Sequence, residues 1–145
     1  MFSKKSDKII LIADTVSLPI GECICTVNQM YLPRSSRKSA KAWFYLNPVV
    51  KEYKEIFKEI ARLTDLVKAR DYKDFVHYVS LDVIFLLSNN SLWDRDTTNM
   101  IKPTEDALVE VTGIDDSRHK PVRFDKENSI DGREHVLVGL ELHLK

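Results

Sequence analysis

No apolar run in the chain approaches the roughly 20 residues that a bilayer-spanning helix needs, so a transmembrane segment of that kind is excluded. Met1 to Lys8 leads into an apolar run too short for a signal peptide, and the expected location is cytoplasmic, with no membrane partner. Cysteine is scarce. The two present, Cys23 and Cys25, lie two apart and would point the same way on a strand. That spacing disfavours a disulfide between them, and there is no second half of a zinc site, so both read as reduced strand residues. Internal repeats and low-complexity segments are also missing, which excludes solenoids and disordered tracts. An excess of either charge is missing too: 22 Lys and Arg stand against 22 Asp and Glu. Any affinity for a polyanion must then come from where the charges lie, not from their sum. With 145 residues, 43% hydrophobic and 30% charged, the chain has the makeup of one soluble domain with a real core.

The charges are segregated. From Asn28 to Arg62 eight basic residues (Arg34, Arg37, Lys38, Lys41, Lys51, Lys54, Lys58, Arg62) stand against three acidic ones. From Asp82 to Asp116 the balance reverses, eight acidic residues against Arg95 and Lys102. A basic wall beside an acidic patch can steer a phosphate backbone toward a metal ion, although segregation also arises on ordinary solvated surfaces.

The apolar pattern predicts an α+β domain. Lys8 to Val16 and Gly21 to Val27 read as strands joined through Pro19-Ile20-Gly21, able to form a hairpin. Residues 31–42 are basic and aperiodic, and read as a mobile loop. Trp43, Phe44 and Tyr45 follow, either as core or as rings able to stack on unpaired bases. Asn47-Pro48 is a helix start, and the apolar stripe Val49, Tyr53, Ile56, Phe57, Ile60, Leu63 and Val67 predicts a helix to about Ala69. Asp74 to Leu87 alternates and is apolar on both faces in its second half, as a central strand would be. Val122 to Asp125 and Glu134 to Leu144 read as closing strands joined by a turn at Asp131-Gly132. Val136, Val138, Leu140, Leu142 and Leu144 supply the inward face of the last.

The most informative stretch is Trp93 to Asp116, W-D-R-D-T-T-N-M-I-K-P-T-E-D-A-L-V-E-V-T-G-I-D-D. At about 100° per residue from Asp96, Asn99, Lys102 and Asp106 fall near 300°, 240° and 280°. Met100, Ile101, Ala107, Leu108 and Val111 fall between about 20° and 140°. One side of this helix can pack on a sheet while the other presents carboxylates, an amide and a lysine. The helix is expected to start near Thr98 or Asn99 with Asp96 in the lead-in turn, to tolerate Pro103 near its start, and to end at Gly113. Mg2+ takes one or two carboxylates plus waters and substrate phosphates. Asp96, Asp115 and Asp116, drawn together from the two ends of the helix, are the candidate ligands, with Lys102 neutralising phosphate charge and Asn99 orienting a water or phosphate oxygen. Acids at a helix start and in the turn after it are also ordinary capping chemistry. His119 follows the acidic pair and is the histidine best placed for proton transfer, with Arg118 and Lys120 beside it as phosphate-binding candidates.

The run Asp96-x-Thr98-Asn99-x-x-Lys102-x-x-x-Asp106-Ala107-Leu108, followed by Ile114-Asp115-Asp116, resembles the signature of the RusA-type Holliday-junction resolvases. Val27-Asn28-Gln29-Met30-Tyr31, the basic loop, and Tyr45-Leu46-Asn47-Pro48 with the helix bearing Tyr53-Lys54 are similar to the upstream part of that family. The resemblance implies one domain over residues 1–145, a small mixed β-sheet packed against two main helices, acting as a homodimer. It implies an endonuclease that depends on Mg2+, with Mn2+ able to substitute, and cuts paired strands of a four-way DNA junction in recombination and repair. It makes Asp96 and Asp116 the metal-binding carboxylates, Asp115 their neighbour and Lys102 the catalytic lysine, with Asn99 beside them. Asn28, Arg34, Arg37, Lys38, Lys41 and Lys54 become the DNA-binding set. In one place the chain departs from the pattern: Thr98 stands where the family has a second aspartate, with Asp94 and Asp106 as the residues able to compensate. Two other readings stay open, a branched-DNA-binding module of the same fold that does not cut, and a metal-dependent enzyme acting on nucleotides or RNA. Cellular and phage origin are both compatible with the sequence.

Overall fold

The computed structural model describes residues 8–19, 31–34, 43–46, 48–88, 93 and 96–145, with 31–34 and 43–46 described by their backbone. The architecture is mixed α+β, as expected. Its strands are β1 (Ile9–Leu18), β2 (Tyr31–Arg34), β3 (Trp43–Leu46), β4 (Val76–Leu87), β5 (His119–Asn128) and β6 (His135–Leu144). Helix α1 spans Pro48–Ala61 and α2 spans Thr97–Thr112, and 3-10 turns cover Asp65–Phe75 and Asp116–Arg118. No helix among the described residues is long and apolar enough to cross a membrane.

The main sheet runs β1-β6-β4-β5. β4 pairs antiparallel with β6 and parallel with β5, so β4, α2 and β5 form one crossover unit. A parallel pair cannot be closed by a tight turn, and α2 supplies the connection. The continuous apolar character of β4 is explained by this central place: Val79, Leu81, Val83, Phe85 and Leu87 are buried against the helices, and Ile84 is buried on the opposite face. The turn at Asp131-Gly132 is present, with Gly132 at φ 75°. It does not close a hairpin, because β4 lies between β5 and β6.

Both helices pack on one face of this sheet. Val50, Tyr53, Phe57 and Ala61 of α1 meet Met100, Ala107, Leu108 and Val111 of α2 in a core shared with Val136, Val138, Leu140 and Leu142 of β6. The first helix is shorter than its apolar period implies. It ends at Ala61, where the Thr64 hydroxyl donates to the Ala61 carbonyl (2.6 Å) and accepts from the Leu66 amide (3.2 Å). One side chain thus closes α1 and opens the 3-10 segment, which brings Leu66 and Ala69 into the core and leaves Leu63 89% exposed.

Tyr31–Arg34 corrects the loop expected over 31–42. It forms an antiparallel two-stranded ribbon with Trp43–Leu46, running from Tyr31 opposite Leu46 to Arg34 opposite Trp43. Three consecutive strand-formers in β3, Trp43, Phe44 and Tyr45, offer a template for the short segment Tyr31–Arg34. The rest of the loop, the Gly21–Val27 strand and its proposed hairpin with β1, Cys23, Cys25 and the Asn47 cap lie outside the described residues. The described partner of β1 is β6, in a register broken between Leu11 and Ala13 and again between Ala13 and Val16. Gly139 makes the second irregularity feasible, since a Cβ there would stand 2.7 Å from the Asp14 carbonyl oxygen.

Candidate active site

Helix α2 begins and ends as its residues dictate. Asp96 is the N-cap, its carboxylate accepting from the Thr98 amide at 3.0 Å, so the helix starts at Thr97, one or two residues earlier than the start expected at Thr98 or Asn99. Gly113 is the left-handed C-cap at φ 72°, donating to the Val109 carbonyl at 2.8 Å. Pro103 lies inside the helix and is buried. It cannot donate to the Asn99 carbonyl. The neighbouring Thr104 hydroxyl donates to the Met100 carbonyl at 2.7 Å and bonds the Tyr53 hydroxyl at 2.5 Å, fixing α1 to this weakened turn. Asn99 is half-buried in the first turn.

Lys102 is the centre of the charged cluster. Its ammonium lies 3.0 Å from Asp106 Oδ1, one turn on along α2, and 3.2 Å from Asp116 Oδ2 in the 3-10 turn beyond the helix. Lys54 of α1 approaches the other oxygen of Asp106, at 4.0 Å. Lys58 of the same helix edge lies 2.8 Å from Glu55 and 3.2 Å from Glu110. Basic edge and acidic edge therefore interlock, and Lys51, Lys54, Glu55, Lys58 and Glu110 line a cleft of about 460 Å3. Asp115 caps the 3-10 turn, accepting from the Ser117 amide at 3.2 Å, and its bonds to Ser117 hold its carboxyl below the usual range.

The motif residues are thus only partly gathered. Lys102, Asp106, Asp116 and Lys54 come together, with Asp115 next to Asp116 in the chain. Asp96 stays at the N-cap, six residues before Lys102 and ten before Asp106, ~9 and ~15 Å of rise at 1.5 Å per residue. Asp106, kept in the sequence as a compensating carboxylate, is a central member, and its signal was the four-residue spacing from Lys102. His119 takes a different place from the one expected. Its Nδ1 lies 2.8 Å from Glu105 Oε2 and its side chain is 3% exposed, so it ties β5 to α2 and is closed to substrate. Asn28, Arg37, Lys38, Lys41 and Asp94 lie outside the described residues, and Arg34 is placed by its backbone in β2.

The two carboxylates hold Lys102 firmly protonated. Asp106, and after it Asp116, push its pKa up from the ordinary 10.5 to about 12. A raised lysine pKa contributes stability that is fully present below 10.5 and lost as pH rises through about 12. Because the lysine side chain is 53% exposed, screening keeps that contribution small. In carbon-detected NMR of ε-labelled lysine, Lys102 is expected to titrate last among the lysines, near 12, and to move back toward 10.5 in Asp106→Asn. A wild-type midpoint at the ordinary value would mean that the two carboxylates do not hold the ammonium in solution.

Two carboxylates converging on one positive centre form a donor set that a hard divalent cation also accepts, with Lys102 marking the place where positive charge is stabilised. Among the described residues no group of three or more His, Cys, Asp or Glu is arranged to hold a metal ion. A pair is within the one or two carboxylates that Mg2+ uses, the rest of its sphere being waters and phosphate oxygens. No family model matches the chain, and no curated protein matches it.

Proposed function

We propose that this chain is a Mg2+-dependent endodeoxyribonuclease that resolves four-way DNA junctions inside the cell, in recombination and repair. The observation that carries the reading is the contact of Lys102 with Asp116, two residues 14 apart that are joined by the resolvase-like motif and meet at 3.2 Å around Asp106. Asp116 and Asp106 would hold the ion, with Asp115 beside them in the turn. Bound there, Mg2+ or Mn2+ would supply an activated water and a Lewis acid for the scissile phosphate. Lys102, protonated at any physiological pH, neutralises charge on the phosphate oxygens. Lys54, at the cleft edge, brings the backbone up to the carboxylates. Two cuts related by approximate two-fold symmetry call for a homodimer.

A second reading, a junction-binding module without cleavage, is favoured by two specific observations. Thr98 replaces a carboxylate of the motif, and the Asp96 carboxylate is engaged as a helix cap outside the cluster. A synthetic four-way junction and a linear duplex of the same sequence, incubated with the protein in Mg2+ and then in Mn2+, decide between the two. Paired symmetric nicks confined to the junction are the expected result. Tight junction binding with no nick in either ion would replace the enzyme by the module.

A further inference from the structure

One end of the main sheet carries a row of rings and cations that the cleavage chemistry does not use. Tyr78 of β4 and His143 of β6 are register partners, with ring centroids 4.1 Å apart and planes 11° from parallel. The imidazole is held by its Nε2, 2.9 Å from Ser80 Oγ and 3.0 Å from Glu141 Oε1. His77 meets the Tyr78 ring edge-on at 5.4 Å. Beside them lies a cavity of about 440 Å3 walled by Lys8, His77, Tyr78, His143, Leu144 and Lys145. On the β5 side the Lys120 ammonium stands 5.2 Å from the Tyr78 ring centroid, and Arg118 donates to the His77 carbonyl at 3.2 Å.

The topology explains why these groups share one rim. β1 and β4 start where β6 ends, and β5, parallel to β4, starts there too. Lys8 precedes β1, Lys145 follows β6, His77 and Tyr78 open β4, and Arg118 and Lys120 flank the start of β5. Three strand spacings of about 4.8 Å make this rim roughly 15 Å long. Among the described residues, Glu141 is the acid bonded to a ring of the row, and its charge is directed at His143. Cations spread along a line over four strands fit successive phosphates better than the single phosphate of a free nucleotide, which would call for convergence on one point. The exposed His77 ring and the rim of the Tyr78–His143 stack offer flat apolar contact to bases at the centre of the line.

We propose that this rim binds single-stranded nucleic acid, the bases against the Tyr78, His143 and His77 rings and the phosphates along Lys8, Lys145, Lys120 and Arg118. Such binding does not depend on cleavage. Arg118 is two residues from Asp116, so a strand lying on the rim leads to the carboxylate cluster, but the rim holds it whether or not a cut follows.

Fluorescence anisotropy of a labelled ten-residue oligothymidylate, with the full chain in EDTA, tests this without any metal. The decamer is expected to bind more tightly than a blunt duplex of equal length, with an affinity that falls as salt rises. Tyr78→Ala is expected to weaken binding about tenfold and Tyr78→Phe to retain it. Lys8→Glu and Lys145→Glu, on the surface and away from the core, are expected to weaken it roughly threefold each and to flatten the salt dependence. These two decide the matter if Tyr78→Ala does not fold. Lys8→Glu and Lys145→Glu proteins binding like the wild type would overturn the proposal. So would a duplex preferred over the decamer, or thymidine monophosphate competing as well as the decamer does.

Discussion

Asp116→Asn is expected to lower Mg2+-dependent nicking of a four-way junction by a hundredfold or more, with the melting temperature unchanged to within about 2 °C. Asparagine keeps the shape of the side chain and one acceptor oxygen, but it lacks the charge that would hold a divalent ion and that now faces Lys102 at 3.2 Å. The Asp116 side chain is 40% exposed, so losing the pair costs the fold little. Asp96 gives the contrasting case. As an N-cap it should tolerate asparagine, which also caps, whereas Asp96→Ala should cost about 1 kcal/mol. If Asp96 acts only as a cap, Asp96→Asn cuts junctions at the wild-type rate. If it also reaches the ion when DNA is bound, Asp96→Asn fails to cut while melting normally. An Asp116→Asn protein that nicks as fast as the wild type would remove the Lys102 cluster from the chemistry altogether.

The contrast between these two aspartates marks how far the motif could be read. Counting 100° per residue places Asp96, Asn99, Lys102 and Asp106 on neighbouring azimuths of α2, and the apolar side was found as counted, with Met100, Ala107, Leu108 and Val111 buried. Azimuth carries no information about height. Asp96 and Asp106 share an edge but differ by ten residues, ~15 Å of rise, and a lysine side chain spans only part of that. Asp116 reaches Lys102 because the left-handed turn at Gly113 and the 3-10 turn after it fold the chain back beside the helix. His119 stands in the sequence as a candidate for proton transfer, and its pairing with Glu105 was not legible, since that requires knowing that β5 starts beside α2.

Strand order was harder still. The apolar second half of β4 announced a central strand, and β4 is central. Its neighbours were not announced. β5 is mostly exposed along its length, as suits a sheet edge, so its pattern carried little of the alternation that reveals a strand's place. The Asp131-Gly132 turn was legible because turn chemistry is local. Where the chain goes afterwards is decided by the apolar face of β6, whose Val136, Val138, Leu140 and Leu142 gain most by lying between β1 and β4 over both helices.

Phe57→Ala is expected to cost about 3 to 5 kcal/mol, which at this size lowers the melting temperature by roughly 10 to 15 °C. The ring is fully buried, tilted against Tyr53 at 6.0 Å, and belongs to the layer where α1 meets α2 and the sheet. The cavity left by alanine cannot collapse cheaply, because the Tyr53–Thr104 bond and the Lys58–Glu110 pair hold the two helices at their present separation. Leu63→Ala makes the matching control. By period alone both residues lie on one apolar stripe and both should be costly. Because the Thr64 side chain ends the helix at Ala61, Leu63 is 89% exposed, and its loss should change stability by less than about 0.5 kcal/mol. Thermal melts of the two variants therefore measure where α1 stops. A Leu63→Ala protein destabilised as much as Phe57→Ala would mean that the helix continues toward Ala69 in solution and that the Thr64 turn is not the terminator.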